Sequence, residues 1–199
     1  MVNEDRPSSP TDSELIQRFL ADPGSGAFDQ LVQRHSGRAY QIAYGILGNR
    51  EDSEEVVQDT FVRIFRNLRN FRGAAEFTTW MYRIVVNLCN NKYRWNRRRG
   101  QGRTVSIDAP LPGSDDGSLH LDPPDRTPPP DRELESRELC QRAEAAMQKL
   151  PESYRTAVLL RNLKHLDYDQ IAEILHCAVG TVKSRINRGR EILRDALDL

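Results

Sequence analysis

The chain has 199 residues, which is enough for one large domain or two small ones, each with a modest core. No apolar run approaches the ~20 residues that a membrane span needs, and the N-terminus lacks a basic stretch followed by an apolar one. These features argue against a membrane or secreted protein, and we expect a soluble, cytoplasmic one. The 29 Lys and Arg balance 29 Asp and Glu overall, but their distribution along the chain is uneven.

The predicted elements begin after residues 1–10, which we expect to be disordered. The segment "TDSELIQRFL" starts with a capping box, Thr11 to Glu14, and its apolar residues recur at helical spacing. Residues 28–47 carry a longer apolar stripe that is followed by Gly and Asn. This stripe predicts a long amphipathic helix with one buried face.

A third helix is predicted over "EDSEEVVQDTFVRIFRNLRNF", with Asp52 or Ser53 as its N-cap. Its apolar face carries Val57, Phe61, Ile64 and Leu68. Three polar residues share another face of this helix: Glu55, Gln58 and Asp59. From spacing alone, this face is either a partner surface or an ordinary solvated face whose early acids favour the helix dipole.

The next segment mixes aromatic residues with bases. Residues 77–103 hold seven bases and no acid, and single-stranded nucleic acid is bound by this combination because bases stack while phosphates need counter-charge. The better candidates for base contact are Phe77, which we expect in the loop before the next helix, Tyr82 and Asn87, although Asn87 could hydrogen-bond locally. Trp80 has the spacing of a core residue.

An acidic segment rich in proline and glycine separates the two halves of the chain. Residues 100–130 contain seven of the eleven prolines, and residues 104–138 hold nine acids against three bases. Proline lacks an amide hydrogen and clashes with the preceding turn, so this segment is predicted to be a flexible linker over residues 99–135. The first domain is then predicted over 11–98 and the second over 136–199.

The second domain contains the pattern of a helix-turn-helix. Pro151 suits a helix start, Asp167 and Gln170 have capping-box spacing, and "HCAV" is a short turn before the basic stretch "GTVKSRINRGR". In this motif the second helix enters the major groove of DNA. The residues predicted to face outward on that helix are Thr181, Lys183, Ser184, Arg185, Asn187 and Arg188. Such side chains bind phosphates and base edges.

These elements predict an all-α protein of two small helical domains. We find no glycine-rich phosphate loop, no nucleophile with a plausible base and no carboxylate cluster spaced for magnesium, so we do not expect an enzyme. The three cysteines are widely spaced without a CxxC pair, and His176 beside Cys177 would need ligands from elsewhere. We expect neither a metal nor a cofactor.

Four motifs, in this order around the acidic linker, resemble the bacterial RNA polymerase sigma factors of the extracytoplasmic-function (ECF) type. They are "DSEEVVQDTFVRIFRNLRNFRG", "FTTWMYRIVVNLCNNKYR", "LPESYRTAVLLR" and "YDQIAEILHCAVGTVKSRINRGRE". The resemblance covers roughly residues 11–98 and 136–196. It implies a transcription initiation factor that binds core RNA polymerase and directs it to promoters.

The resemblance also implies partners for the two domains. The first would be sigma region 2, in which Glu55, Gln58 and Asp59 contact the clamp helices of the largest polymerase subunit. The same domain would bind the melted non-template strand of the -10 element through Phe77, Trp80, Tyr82, Arg83, Asn87 and Lys92. Phe77 and Asn87 would line the pocket for an extruded base.

The second domain would be sigma region 4, with the outward residues of its last helix in the -35 major groove. Arg155 and Arg161 would contact the DNA backbone, and the remaining surface would meet the polymerase flap. An anti-sigma factor commonly covers these surfaces in the family. The linker would thread the polymerase cleft.

One departure and two rival interpretations accompany the resemblance. His176 occupies a turn position where the family often has Gly, Asn or Asp, which tolerate positive φ better. A helix-turn-helix regulator that acts on duplex DNA would explain the second domain equally well, but not the polar face around Glu55 or the basic block. An enzyme acting on nucleic acid would explain the basic block without recognisable chemistry.

Overall fold

The computed structural model describes residues 9–71, 73, 75–99, 130–164 and 166–197, and every regular element in these ranges is helical. The expected disordered residues 1–8 and the greater part of the predicted linker, 100–129, lie outside the described residues. No helix in the described ranges has the length and hydropathy of a membrane span.

The first domain contains four α-helices around a common core. They are α1 (Asp12–Ala21), α2 (Ala27–Leu47), α3 (Arg50–Asn67) and α4 (Phe77–Arg98), with a 3-10 turn at Leu68–Asn70. The largest fully buried side chains of this group are Leu15, Leu31, Ile42, Ile46, Ile64, Leu68 and Met81. The predicted apolar stripes therefore face one another, which is how amphipathic helices remove their apolar surface from water.

Of the two helix caps predicted for this domain, one is confirmed and one is wrong. The capping box is confirmed: the Glu14 amide donates to Thr11 Oγ1 at 3.3 Å, and the Thr11 amide donates to Glu14 Oε2 at 2.7 Å. The predicted N-cap of α3 at Asp52 or Ser53 is wrong. Asn49 caps this helix by accepting from the Asp52 amide at 2.9 Å, because the helix begins earlier than its first acids suggested.

The second domain contains the remaining four helices. They are α5 (Pro130–Lys149), α6 (Glu152–Lys164), α7 (Tyr168–Leu175) and α8 (Val179–Leu197). The predicted end of the linker at residue 135 lies inside α5, which begins at the last proline of the run, a position that suits a helix start.

Helices α7 and α8 form the predicted helix-turn-helix. The Asp167 to Gln170 capping box is confirmed, with distances of 2.7 and 3.1 Å. Val182 and Ile186 on the inner face of α8 are fully buried. Gly189 allows close packing against α6, because a Cβ atom there would lie 2.7 Å from Val158 Cγ2.

His176 ends α7 in the left-handed conformation, with φ 49° and ψ 49°, and no other non-glycine residue in the described ranges has a positive φ. We expect His176→Gly to raise the free energy of unfolding by about 1 kcal/mol, because glycine has no Cβ penalty in this region. Urea denaturation of the two proteins measures the difference. His176→Ala is the control, since it keeps the Cβ atom and should gain little.

The two domains pack against each other. Gly45 in α2 lies so close to α6 that an added Cβ would meet Leu159 Cδ1 at 2.8 Å. Arg155 Nη1 in α6 donates to the Ile46 carbonyl at 2.6 Å, and Gln148 Nε2 donates to the Gly45 carbonyl at 3.3 Å. The C-terminal end of α2 is therefore the docking point for the second domain.

Candidate nucleic-acid interface

The polar face of α3 is solvent-exposed, as the sequence indicated. Glu55, Gln58 and Asp59 are all exposed, and Val62, one turn further along the same face, is 46% exposed. This surface joins three polar side chains to an apolar one. We call it the acidic face of α3.

Lys92 of α4 reaches this acidic face. Its Nζ lies 2.6 Å from Glu55 Oε2 and 3.2 Å from Asp52 Oδ1. Burial alone would lower the pKa of Lys92, but the hydrogen bonds to Glu55 and Asp52 raise it above its usual value. A residue predicted to bind DNA and one predicted to bind polymerase thus share one ion-paired cluster.

A cavity of about 700 Å³ opens between α1, α2 and the segment that precedes α4. We call it the first cavity. Phe71 and Phe77 contribute aromatic surface to its wall, and Arg34 and Arg38 contribute guanidinium groups. Asp12 and Glu76 also line this cavity, and Asp12 pairs with Arg34. Aromatic surface suits a nucleobase, and an arginine in the same wall suits its phosphate.

Phe77 lies at this cavity, although not in a loop as we expected. It is the first residue of α4 and is buried, with its ring 6.1 Å from that of Phe71 and 5.3 Å from that of His35. Trp80 is half-buried and lies 5.0 Å from the Phe71 ring. The aromatic residues of this region therefore form one cluster behind the cavity.

His35 is a buried polar residue in the cavity wall. Its Nε2 lies 2.8 Å from Asp12 Oδ2, while its buried Nδ1 has no hydrogen-bond partner in the described part of the chain. Burial lowers the pKa of His35, and the Asp12 carboxylate opposes that shift. Arg34 also pairs with Asp12 at 2.6 Å, so this network ties α1 to α2.

Sequence reasoning missed Phe71, His35, Arg34 and Arg38 as cavity residues. The two arginines are four residues apart on α2 and so share a face, which was a usable signal. The cavity forms because α1 and the segment before α4 pack next to α2. The spacing of residues within α2 does not reveal that packing.

The structure does not place Asn87 in the first cavity with Phe77. Asn87 is exposed and lines a second, smaller cavity of about 260 Å³ between the domains. Arg94 of α4 and Arg185 of α8 line the same cavity. Candidate residues for the -10 and -35 elements thus face one another across the domain boundary.

Two further candidates on α4 are engaged within the protein. Tyr82 is buried, and this burial raises the pKa of its hydroxyl. Arg83 is half-buried, with Nη1 3.9 Å from Glu173 Oε1 of α7. In this arrangement, Tyr82 is not available at the protein surface.

Helix α8 presents most of its predicted residues to solvent. Lys183, Ser184, Asn187 and Arg188 are exposed. Thr181 and Arg185 are half-buried. The outward face of α8 therefore carries cationic and hydrogen-bonding groups with the composition of a DNA-reading surface.

The two residues of α6 that were predicted to contact the DNA backbone make hydrogen bonds within the protein instead. Arg155 is 4% exposed and donates to the carbonyls of Ile46, Gln148 and Leu150. Arg161 donates to the Leu166 carbonyl at 2.6 Å and lies over the Tyr168 ring. Arg155 in particular has a structural role at the domain boundary.

The fold and these surfaces define a two-domain helical DNA-binding protein with a helix-turn-helix in its second domain. Family models support this class directly: the model "Sigma-70 region 2" matches residues 31–99, and "Sigma-70, region 4" matches residues 140–193. The chain belongs to the ECF RNA polymerase sigma factors of the sigma-70 family. Proteins of this family direct RNA polymerase to promoters, and this chain is a sigma factor.

Two related sigma factors illustrate the extent of the similarity. The chain is 36% identical over 188 residues to the ECF RNA polymerase sigma factor SigE of Mycolicibacterium smegmatis, covering 94% of this chain and 68% of that protein. It is 35% identical over 187 residues to the ECF RNA polymerase sigma-E factor of Haemophilus influenzae, covering 94% and 95%.

Solved structures support the same fold. The sigma factor RpoE of Bartonella quintana, in complex with the anti-sigma factor NepR, matches with a TM-score of 0.66 and 24% identity over 87% of this chain and 98% of that one. CnrH, in complex with the cytosolic domain of CnrY, matches with a TM-score of 0.65 and 24% identity over 94% and 97%.

Proposed function

We propose that this sigma factor uses three surfaces to start transcription. The acidic face of α3 binds core polymerase, the first cavity and the exposed side of α4 bind the unpaired -10 strand, and α8 reads the -35 duplex. The observation that carries the proposal is the presence, on one chain, of an exposed acidic helix face and of exposed basic residues on α4 of the first domain and α8 of the second.

The acidic face of α3 suits a protein partner better than DNA. Glu55 and Asp59 would repel phosphates, whereas the 46% exposed side chain of Val62 offers apolar contact to a protein. The clamp helices of the largest polymerase subunit are the partner that the family resemblance implies for this face.

The first cavity suits one extruded base of the melted -10 strand. Phe71 provides stacking surface with the Phe77 ring behind it, and the exposed Arg38 in the cavity wall supplies a cation for a phosphate. Unstacking a base costs a few kcal/mol, and stacking in a pocket offsets a cost of that size. Trapping the base would hold the duplex open without any catalysis by sigma.

The exposed residues of α8 suit the -35 element. Arg and Lys bind phosphate oxygens or guanine, and Asn bonds the edge of adenine, so Lys183, Asn187 and Arg188 supply the groups that duplex reading requires. The half-buried Arg185 joins them when the second cavity opens, since it now faces α4.

Full engagement of both promoter elements requires the two domains to move apart. Asn87 and Arg185 line the same cavity between the domains, and Arg155 is buried at their contact. A -10 strand at Asn87 and a -35 duplex at Arg185 would otherwise compete for one space. Core polymerase is the partner proposed to hold the domains apart, with region 4 on its flap and the linker in its cleft.

An anti-sigma factor is the proposed regulator. The similar folds of RpoE and CnrH were solved in complex with NepR and CnrY respectively. By analogy, a protein that covers the acidic face of α3 or holds the domains closed would silence this chain.

Run-off transcription with core polymerase on a candidate promoter tests the proposal. We expect Lys183→Ala with Arg188→Ala to weaken duplex binding. The plot of the logarithm of the DNA-binding constant against the logarithm of salt concentration should become less steep by about 2, because two phosphate contacts are lost. Phe71→Ala should leave duplex binding intact but reduce permanganate reactivity of unpaired -10 thymines.

Two controls complete the experiment. Arg142→Ala, an exposed arginine on α5, should change neither the salt slope nor strand opening. Tight binding to duplex DNA without polymerase, together with no transcript from any holoenzyme, would instead support the helix-turn-helix regulator.

A further inference from the structure

Trp95, on the C-terminal half of α4, is a large aromatic side chain at the surface. Its exposed fraction is 43%, which places it among the few exposed large hydrophobic residues of the described chain. The guanidinium of Arg99 lies 3.9 Å from the centre of its ring, and Lys92 Nζ lies 5.4 Å from it. An exposed aromatic ring of this size offers flat apolar contact area to a bound partner.

The surroundings of Trp95 favour a nucleic-acid partner. Arg94, Arg97, Arg98 and Arg99 are all exposed, and no acid occurs between residues 77 and 103. Lys92 is held by Glu55 and Asp52, which leaves the arginines as the cations of this helix end. A protein partner with an apolar contact alone would leave several arginines unpaired, whereas a nucleic-acid strand supplies both phosphates and ring faces.

Trp95 lies on the same face of α4 as Asn87. Five exposed residues of this helix half follow the spacing i, i+4, i+7, i+8 and i+11: Asn87, Asn91, Arg94, Trp95 and Arg98. With a rise of 1.5 Å per residue, Trp95 lies about 12 Å along the helix from Asn87. A stacked strand advances about 3.4 Å per nucleotide, so this distance corresponds to three or four nucleotides.

The geometry points to Trp95 and Arg99 as a second stacking site, which takes one further unpaired base of the same DNA strand. A base adds to the existing stack on the exposed indole or on the guanidinium plane, both of which are known platforms for nucleobases. The inference rests on the proposed function, because it assigns an additional contact to the strand that Asn87 and the first cavity would bind. The site extends the single-strand footprint along α4.

The chain contains two tryptophans, so fluorescence separates the two sites. Trp80→Phe leaves Trp95 as the reporter of the proposed site, and Trp95→Phe leaves Trp80 as the reporter of the aromatic cluster at the first cavity. The probe is single-stranded oligo(dT), titrated into the free full-length protein. An abasic strand of equal length is the control for attraction between phosphates and arginines.

We expect oligo(dT) to quench Trp95 fluorescence and the abasic strand to leave it nearly unchanged. Trp95→Ala should weaken oligo(dT) binding by about fivefold or more, while Trp95→Phe, which keeps an aromatic face, should retain most of the affinity. Equal quenching by both strands would overturn the inference, because the contact would then be to phosphates only.

The two reporters distinguish failure of this inference from failure of the proposed function. A response of Trp80 to oligo(dT), with Trp95 silent, would reject the second stacking site alone. If both tryptophans are silent in the native protein and also in Arg155→Leu, which removes the hydrogen bond across the domain boundary, and Asn87→Ala does not weaken binding, the proposed single-strand function of α4 fails as well. Since the comparison of the two strands is made on the same protein, a folding defect of Trp95→Ala would not affect it.

Discussion

Reversing two charges on the acidic face of α3, by Glu55→Lys with Asp59→Lys, is expected to weaken binding to core RNA polymerase by at least about 100-fold. Both side chains are exposed on one face of the helix, so the change does not disturb the core. Like charges brought together at an interface cost several kcal/mol. The lysine that replaces Glu55 would also repel Lys92, which pairs with the native carboxylate at 2.6 Å. Surface plasmon resonance with immobilised core polymerase measures the loss.

A matched control carries the same change in net charge elsewhere. Asp29→Lys with Asp195→Lys replaces two exposed acids, one in the first turn of α2 and one in the last turn of α8. Their effects on helix stability should largely cancel, because a cation is unfavourable at a helix N-terminus and favourable at a C-terminus. Equal losses of affinity in both double variants would mean that net charge, and not the acidic face, governs binding. The assignment of α3 as the polymerase surface would then be wrong.

Most of the helices could be predicted because their local signals agree with one another. Two capping boxes, Thr11 with Glu14 and Asp167 with Gln170, stand directly before segments with helical apolar periodicity. Both boxes form in the structure. The start of α3 was misplaced because several residues near it can cap a helix. Asn49 follows Gly48, whose left-handed φ of 67° ends α2 and leaves Asn49 to begin the next helix.

The exposed candidates could be predicted better than the buried ones. Glu55, Asn187 and Arg188 point to solvent because helical spacing alone separates them from the apolar face. Arg155 is buried at the contact between the domains, and Tyr82 is buried in the core cluster. Spacing within one helix does not reveal either kind of burial. A basic or hydroxylated residue that looked like a DNA ligand therefore has an internal role in this arrangement.

Gly45 shows why the domain contact was not predicted. In the sequence it is an ordinary glycine within a long helix, where it weakens helix propensity by about 1 kcal/mol relative to alanine. In the structure, its missing Cβ makes room for Leu159, which a Cβ atom would meet at 2.8 Å. The reason for the residue lies more than a hundred positions away in the chain, beyond the reach of any local pattern.

Replacing Arg155 is expected to loosen the contact between the domains. Arg155→Leu would leave the carbonyls of Ile46, Gln148 and Leu150 without their guanidinium donor in a buried position. Unsatisfied buried acceptors are costly, and we expect a loss of about 3 kcal/mol in the free energy of unfolding. Chemical denaturation measures this loss, and small-angle X-ray scattering should show a larger radius of gyration.

Arg155→Lys separates the structural role of this residue from the DNA contact that the family resemblance implied. Lysine keeps a positive charge for a phosphate, but its compact ammonium cannot reproduce a planar fork that serves several carbonyls. If the hydrogen bonds across the domain boundary dominate, Arg155→Lys is destabilised and expanded like Arg155→Leu, whereas the exposed control Arg142→Leu is not. Native stability and size in Arg155→Lys would show that the boundary does not depend on the guanidinium. Since opening of this boundary also uncovers Asn87 and Arg185, an expanded variant should bind promoter DNA without polymerase more readily than the native chain does.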